Sequence, residues 1–124
     1  MFRKFSSAPW LTPSIEDAYR EAWSGEGRLT AMLNWYRASP MVVPPPDAEP
    51  VDLTITDAMR EKYRIAMPHL LIWGLDDQAL RRVARQNLSE FCADLTVVEL
   101  EGASHWLLHE KPDHMAKLIR DFVV

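Results

Sequence analysis

The sequence predicts an α/β protein whose second half is a strand–helix–strand–helix (βαβα) unit with two parallel strands. Two observations carry this reading. His69 to Trp73 and Leu95 to Leu100 are short runs that are apolar nearly throughout, as strands are when both faces are covered by helices. Each is followed by a stretch of helical character, Gln78 to Phe91 and Pro112 to Phe122. A strand–helix–strand crossover returns the second strand parallel to the first with a right-handed connection. Two parallel strands alone are not a stable sheet. The first strand therefore needs a partner on its other edge, where each buried unpaired N–H or C=O costs about 1–3 kcal/mol.

Helices precede this unit. Thr12 is placed as an N-cap with Pro13 at the first helical position, and Ile15, Ala18, Tyr19, Ala22 and Trp23 recur at helical spacing until Ser24-Gly25-Glu26-Gly27 ends the segment. A second helix from about Arg28 to Arg37 sets Leu29, Met32, Leu33 and Tyr36 on one face, with Trp35 beside it. Ser39 to Pro50 holds five prolines, which remove backbone donors and favour extended chain, so neither helix nor central strand persists there. A short helix over Asp57 to Arg64, capped by Thr56, leads into the first strand. The expected organisation is thus a helical part over 1–45, a Pro-rich linker with a short helix over 46–64, and the βαβα part over 65–124.

Bulk properties narrow the function classes. The 124 residues suit one ordinary domain. A formal net charge of −4 and a pI near 5.5 supply no electrostatic footprint for nucleic acid or an anionic membrane. The lone cysteine, Cys92, cannot form an internal disulfide, and the four histidines show no metal-ligand spacing. No metal or other cofactor is expected. The first residues contain no apolar core for a signal peptide, and no run approaches the roughly 20 residues that span a bilayer. A soluble chain in a reducing, cytoplasmic setting is the expectation.

The chemistry-bearing stretches are Trp73-Gly74-Leu75-Asp76-Asp77 and Glu101-Gly102-Ala103-Ser104-His105-Trp106. Both follow the C-terminal ends of predicted parallel strands, where ligand sites of open α/β sheets concentrate. Taken alone, an acid after the first strand is a helix cap before it is anything else, because Asp accepts free N–H groups at a helix start. His105 alone is a histidine satisfied within a packed loop. Their spacing of 28 residues changes this balance. Adjacent parallel strands bring their C-terminal ends together, so Asp77 can accept from one ring nitrogen of His105 and leave the other basic. Asp76 is the solvent-facing or capping neighbour, and Trp106 walls the ring against water. His69, His109 and His114 lack such a context and read as structural or solvated. Ser104 directly precedes His105, and neighbours on one extended turn seldom aim at each other, so Ser104 is not the expected nucleophile. Cys92 closes a predicted helix as a small core residue. No Gly-x-Ser-x-Gly or Gly-x-Asp-x-x-Gly turn occurs in the 124 residues.

Together, Leu33-Asn34-Trp35-Tyr36-Arg37, the Pro-rich linker, Leu71-Ile72-Trp73-Gly74-Leu75-Asp76-Asp77-Gln78-Ala79-Leu80, Gly102-Ala103-Ser104-His105-Trp106 and His109-Glu110-Lys111-Pro112 resemble the C-terminal part of an α/β-hydrolase of the epoxide hydrolase and dehalogenase branch. The resemblance covers nearly the whole chain. Residues 1 to about 45 resemble the end of a helical cap, and about 65 to 124 the last two strands and helices of the core, a partial α/β-hydrolase fold. In that family an aspartate on an earlier strand attacks the substrate, a histidine activates water to hydrolyse the resulting ester, and a late acid orients the histidine. His105 and Asp77 match the last two roles. Tyr36 matches a cap tyrosine that polarises the epoxide oxygen, and Trp35 and Trp106 are further candidates to contact a small apolar substrate. The nucleophile turn, the His-Gly oxyanion motif and the first half of the sheet have no counterpart in the 124 residues.

The resemblance implies a chain that carries the base and orienter of an epoxide, ester or haloacid hydrolase and is inactive alone, since triad members act as a unit. Its expected partner is a complementing N-terminal hydrolase half. The alternative is a non-catalytic, self-associating domain, most simply a homodimer, that covers its strand edge with a second copy. A third is that Met1 marks a late start within a longer reading frame.

Overall fold

The computed structural model describes residues 9–40, 45, 47–49 and 54–123. They form two compact units, one within Leu11–Thr54 and a second within Ile55–Val124 together with Pro9 and Trp10. Most of the Pro-rich linker (residues 41–44, 46 and 50–53) lies outside the described residues. Within it, Ala48 N–H reaches Pro45 O at 3.0 Å.

The Leu11–Thr54 unit is a helical hairpin. Helix α1, Pro13–Ser24, starts where Thr12 accepts the Ile15 N–H on its hydroxyl (3.3 Å) and Pro13 supplies a preset φ. Ile15, Tyr19 and Trp23 are its half-buried stripe, with the Tyr19 and Trp23 rings 5.2 Å apart. Helix α2, Arg28–Ala38, begins after Gly27 at φ 74°, a left-handed conformation that glycine adopts without Cβ strain. The Arg28 guanidinium returns to Ala22 O and ties the two helices together. Leu29, Met32, Leu33, Trp35 and Tyr36 of α2 are all exposed.

The other unit contains the sheet. Helix α3, Asp57–Lys62, is shorter than its predicted span and is capped by the Thr56 hydroxyl accepting Met59 N–H at 3.2 Å. Arg60 bonds Asp57 (2.7 Å) and Glu90 (2.6 Å) and pins α3 to the crossover. Strands β1, His69–Gly74, and β2, Leu95–Leu100, pair in parallel from His69↔Leu95 to Gly74↔Leu100. A bridge between Ile65 and Cys92 precedes this ladder. Helix α4, Leu107–Glu110, was not predicted; α5, Pro112–Val123, is the final helix. Its Met115 and Leu118 pack on one face of the sheet with Ile72, Val98, Leu100, Ala103 and Leu107, and this cluster is the core.

The crossover differs from the single predicted helix over Gln78 to Phe91. It is two short 3₁₀ turns, Arg82–Arg85 and Leu88–Glu90. Arg81 and Gln86 are extended and Asn87 is left-handed at φ 64°, so the hydrogen-bond ladder breaks at both places. Helices draw most of their stability from burying an apolar face. Here Leu80 and Val83 stay exposed, so nothing holds the segment in one helix. Arg85 instead lays its guanidinium over the Trp73 ring, 5.8 Å from the centroid, and pairs with Glu99 on the neighbouring strand. Full burial of both strand faces is likewise not reached within the chain. Among the described residues of this unit the helix layer lies on the α5 side of the sheet, while residues 70–73 are half-buried and Val97 is exposed.

Gly74 is the tightest point. A Cβ built there would lie 2.5 Å from Ala103 O and 2.6 Å from Ser104 O, backbone atoms that cannot rotate aside. Gly74→Ala should therefore lower stability by about 1–3 kcal/mol or more, measured as a drop in urea midpoint at unchanged slope. Gly27→Ala, at an open site, should show only the smaller cost of its positive φ.

Candidate active site

The site grows from the C-terminal ends of the two strands. After β1, Leu75 N–H donates to Leu100 O and Asp76 N–H to Ala103 O, both at 2.9 Å, so the chain leaving β1 is stitched to the turn leaving β2. Gly102, at φ 60°, supplies the bend that sends Ala103 and Ser104 across Gly74. These contacts put residue 77 beside residue 105.

Asp77 Oδ2 lies 3.0 Å from His105 Nδ1. The other oxygen, Oδ1, accepts the N–H groups of Ala79 and Leu80, each at 2.8 Å. One carboxylate thus serves as turn cap and histidine partner at once. The capping contacts belong to Asp77 rather than to exposed Asp76. The Asp77 side chain is only 7% exposed, that of His105 30%. Burial by itself pushes the Asp77 carboxyl up. The Leu80 N–H, the His105 ring and the Ala79 N–H, which favour the anion, outweigh it and hold the group below the usual aspartate range. With Nδ1–H donating to Asp77, Nε2 is left as the basic nitrogen.

Aromatic rings flank the pair. Trp106 meets the His105 ring edge-on at 5.6 Å, Trp10 lies 5.7 Å from Trp106, and Trp10 stacks on His109 at 4.4 Å and 10°. Trp10 is an addition that no spacing rule indicated. Tyr36 and Trp35 sit on α2 of the helical unit with their rings exposed. His69 opens β1 and His114 is exposed on α5.

Ser104 is buried, and its hydroxyl donates to Glu110 Oε1 at 2.6 Å while its backbone N–H donates to Glu110 Oε2 at 2.6 Å. That hydroxyl also accepts Trp106 N–H at 3.2 Å. Sequence reasoning missed the Glu110 contact, since Ser104 lies in a turn and Glu110 at the end of a short helix, and no single periodicity relates the two. Among the described residues no cluster of three or more His, Cys, Asp or Glu could hold a metal ion, and no helix is long and apolar enough to cross a membrane.

Because the folded chain depresses the Asp77 pKa, its ionic contacts stabilise fully above the ordinary aspartate range near about 4, and this contribution is lost as pH falls below it. Asp77→Asn should cost about 1–2 kcal/mol at neutral pH. The gap between wild type and variant, read from urea midpoints, should close as pH is lowered from 5 toward 3.

No family model matches the chain. It is 34% identical over 105 residues to the AB hydrolase superfamily protein YfhM of Bacillus subtilis, covering 85% of this chain and 32% of that protein. It is 29% identical over 107 residues to epoxide hydrolase 2 of Caenorhabditis elegans, covering 86% and 26%. A solved structure described as one of several novel epoxide hydrolases of the α/β-hydrolase superfamily, from metagenomes of hot environments, superposes with a TM-score of 0.75. The two are 31% identical, over 92% of this chain and 38% of that one. The chain spans about a third or less of the length of the curated relatives it matches. It has a partial α/β-hydrolase fold and is homologous, over most of its own length, to α/β-hydrolases of the epoxide hydrolase branch.

Proposed function

We propose that this chain supplies the base and orienter of a hydrolase that cleaves epoxides, esters or haloacids, and that it turns over only when another polypeptide provides the nucleophile. The observation that supports this reading is the 3.0 Å contact between Asp77 Oδ2 and His105 Nδ1, at the ends of two parallel strands. In that role Asp77 fixes the tautomer, and His105 Nε2 takes a proton from the water that attacks an ester formed on the nucleophile. The proton then passes to the leaving group. Tyr36 donates its phenol O–H to the oxygen that gains charge as an epoxide opens. Trp35 and Trp106 contact a small apolar substrate. A cytoplasmic setting agrees with one buried free cysteine, Cys92.

A second reading, self-association as a homodimer, is favoured by β1, which among the described residues pairs along one edge only and keeps half-buried apolar side chains. An open edge of this kind invites pairing with another chain.

Styrene oxide hydrolysis separates the readings. The chain alone should be inactive. Mixing it with the nucleophile-bearing N-terminal portion of a related epoxide hydrolase should restore turnover, and His105→Ala in that mixture should remove it. Failure of every such mixture would sink the enzymatic reading. Sedimentation equilibrium at micromolar concentration should give a dimer under the second reading, and a stable monomer would exclude it.

A further inference from the structure

Outside the His105–Asp77 pair, the strongest polar constellation in the strand-bearing unit is the one beneath it. Ser104, 6% exposed, presents two donors, and both go to one carboxylate: the hydroxyl to Glu110 Oε1 and the backbone N–H to Glu110 Oε2, each at 2.6 Å. The Ser104 hydroxyl passes the constraint on by accepting Trp106 N–H at 3.2 Å. Glu110 is itself fixed, since its N–H donates to Trp106 O at 3.0 Å. The residues on either side of His105 are therefore tied to a single side chain from the far end of α4, while the Ser104 carbonyl rests against Gly74.

We propose that Glu110 is a positioning residue: through Ser104 it holds the 104–106 turn so that the His105 ring keeps its aim at Asp77. Glu110 has this role only if His105 and Asp77 are base and orienter, as proposed above. The chemistry suits the task. A carboxylate accepting two hydrogen bonds from one residue fixes direction as well as distance, and charge-assisted bonds of this length are the stronger kind. The His105 ring is hydrogen-bonded to Asp77, and an imidazole whose flanking backbone drifts cannot keep that contact. Misplacements of an ångström far from the reacting atoms are enough to impair catalysis.

The test is proton NMR on the full chain, reading the exchange with water of the His105 Nδ1 proton, assigned by its loss in His105→Ala. Glu110→Gln keeps size and one acceptor but leaves one of the two Ser104 donors without a partner. It should speed exchange of that ring proton about ten-fold, with amide exchange in β1 and β2 unchanged. Ser104→Ala should have a similar effect, and the double variant should be no faster than either, because both act along one path. Should Glu110→Gln fail to fold, Ser104→Ala alone is read in the same way. A ring proton whose exchange stays unchanged while stability falls would overturn the proposal and leave Glu110 as an anchor of α4. Absence of a protected ring proton in the unaltered chain, with no response to Asp77→Asn, would sink the His105–Asp77 reading and Glu110's role with it.

Discussion

The end of β1 and the turn after β2 share a space too small for a side chain. Gly74 sits opposite Leu100 at the last step of the parallel ladder, and the carbonyls of Ala103 and Ser104 occupy the position a Cβ would take. Because that residue is glycine, the turn can cross the strand end closely enough for Leu75 and Asp76 to bond Leu100 O and Ala103 O. Those two bonds set the distance between the chains that carry Asp77 and His105. A larger residue at position 74 would push the turn outward, and the imidazole would move with it.

On this frame the site concentrates negative charge where it is well solvated by donors. Asp77 is nearly buried, yet two backbone N–H groups and the His105 ring satisfy its oxygens, so the anion is favoured in a place where burial alone would oppose it. Glu110 repeats the arrangement one layer away, with both oxygens taken by Ser104. Each carboxylate spends its acceptors on fixing backbone as well as side chain, which costs less than burying an unpaired charge.

The core beneath this polar layer is small. Leu100, Ala103 and Met115 are buried, with Ile72, Val98, Leu107 and Leu118 packed around them, all on the α5 side of the sheet. On the opposite side Arg85 lies over Trp73, and Leu80, Val83 and Val97 are exposed.

Local signals were enough for most elements. Thr12 with Pro13, Thr56 ahead of Asp57, and the two apolar runs marked α1, α3 and both strands, because caps and strand patterns depend on residues within a few positions of one another. The pairing of residues 77 and 105 was legible too, since a parallel crossover brings strand ends together whatever lies between them. The crossover's form was not legible: Gln78 to Phe91 has helical composition, yet extended Arg81 and Gln86 and left-handed Asn87 split it into two 3₁₀ turns. Nor could any spacing reveal Glu110 beneath Ser104, Trp10 stacked on His109, or the need for glycine at 74. By itself the sequence determined the type and order of the elements and the two residues at the strand ends, because these follow from local chemistry and chain direction. The tertiary structure alone decided how the loops approach, which donor meets which carboxylate, and which apolar faces stay uncovered, because those depend on packing between segments that no period in the chain relates.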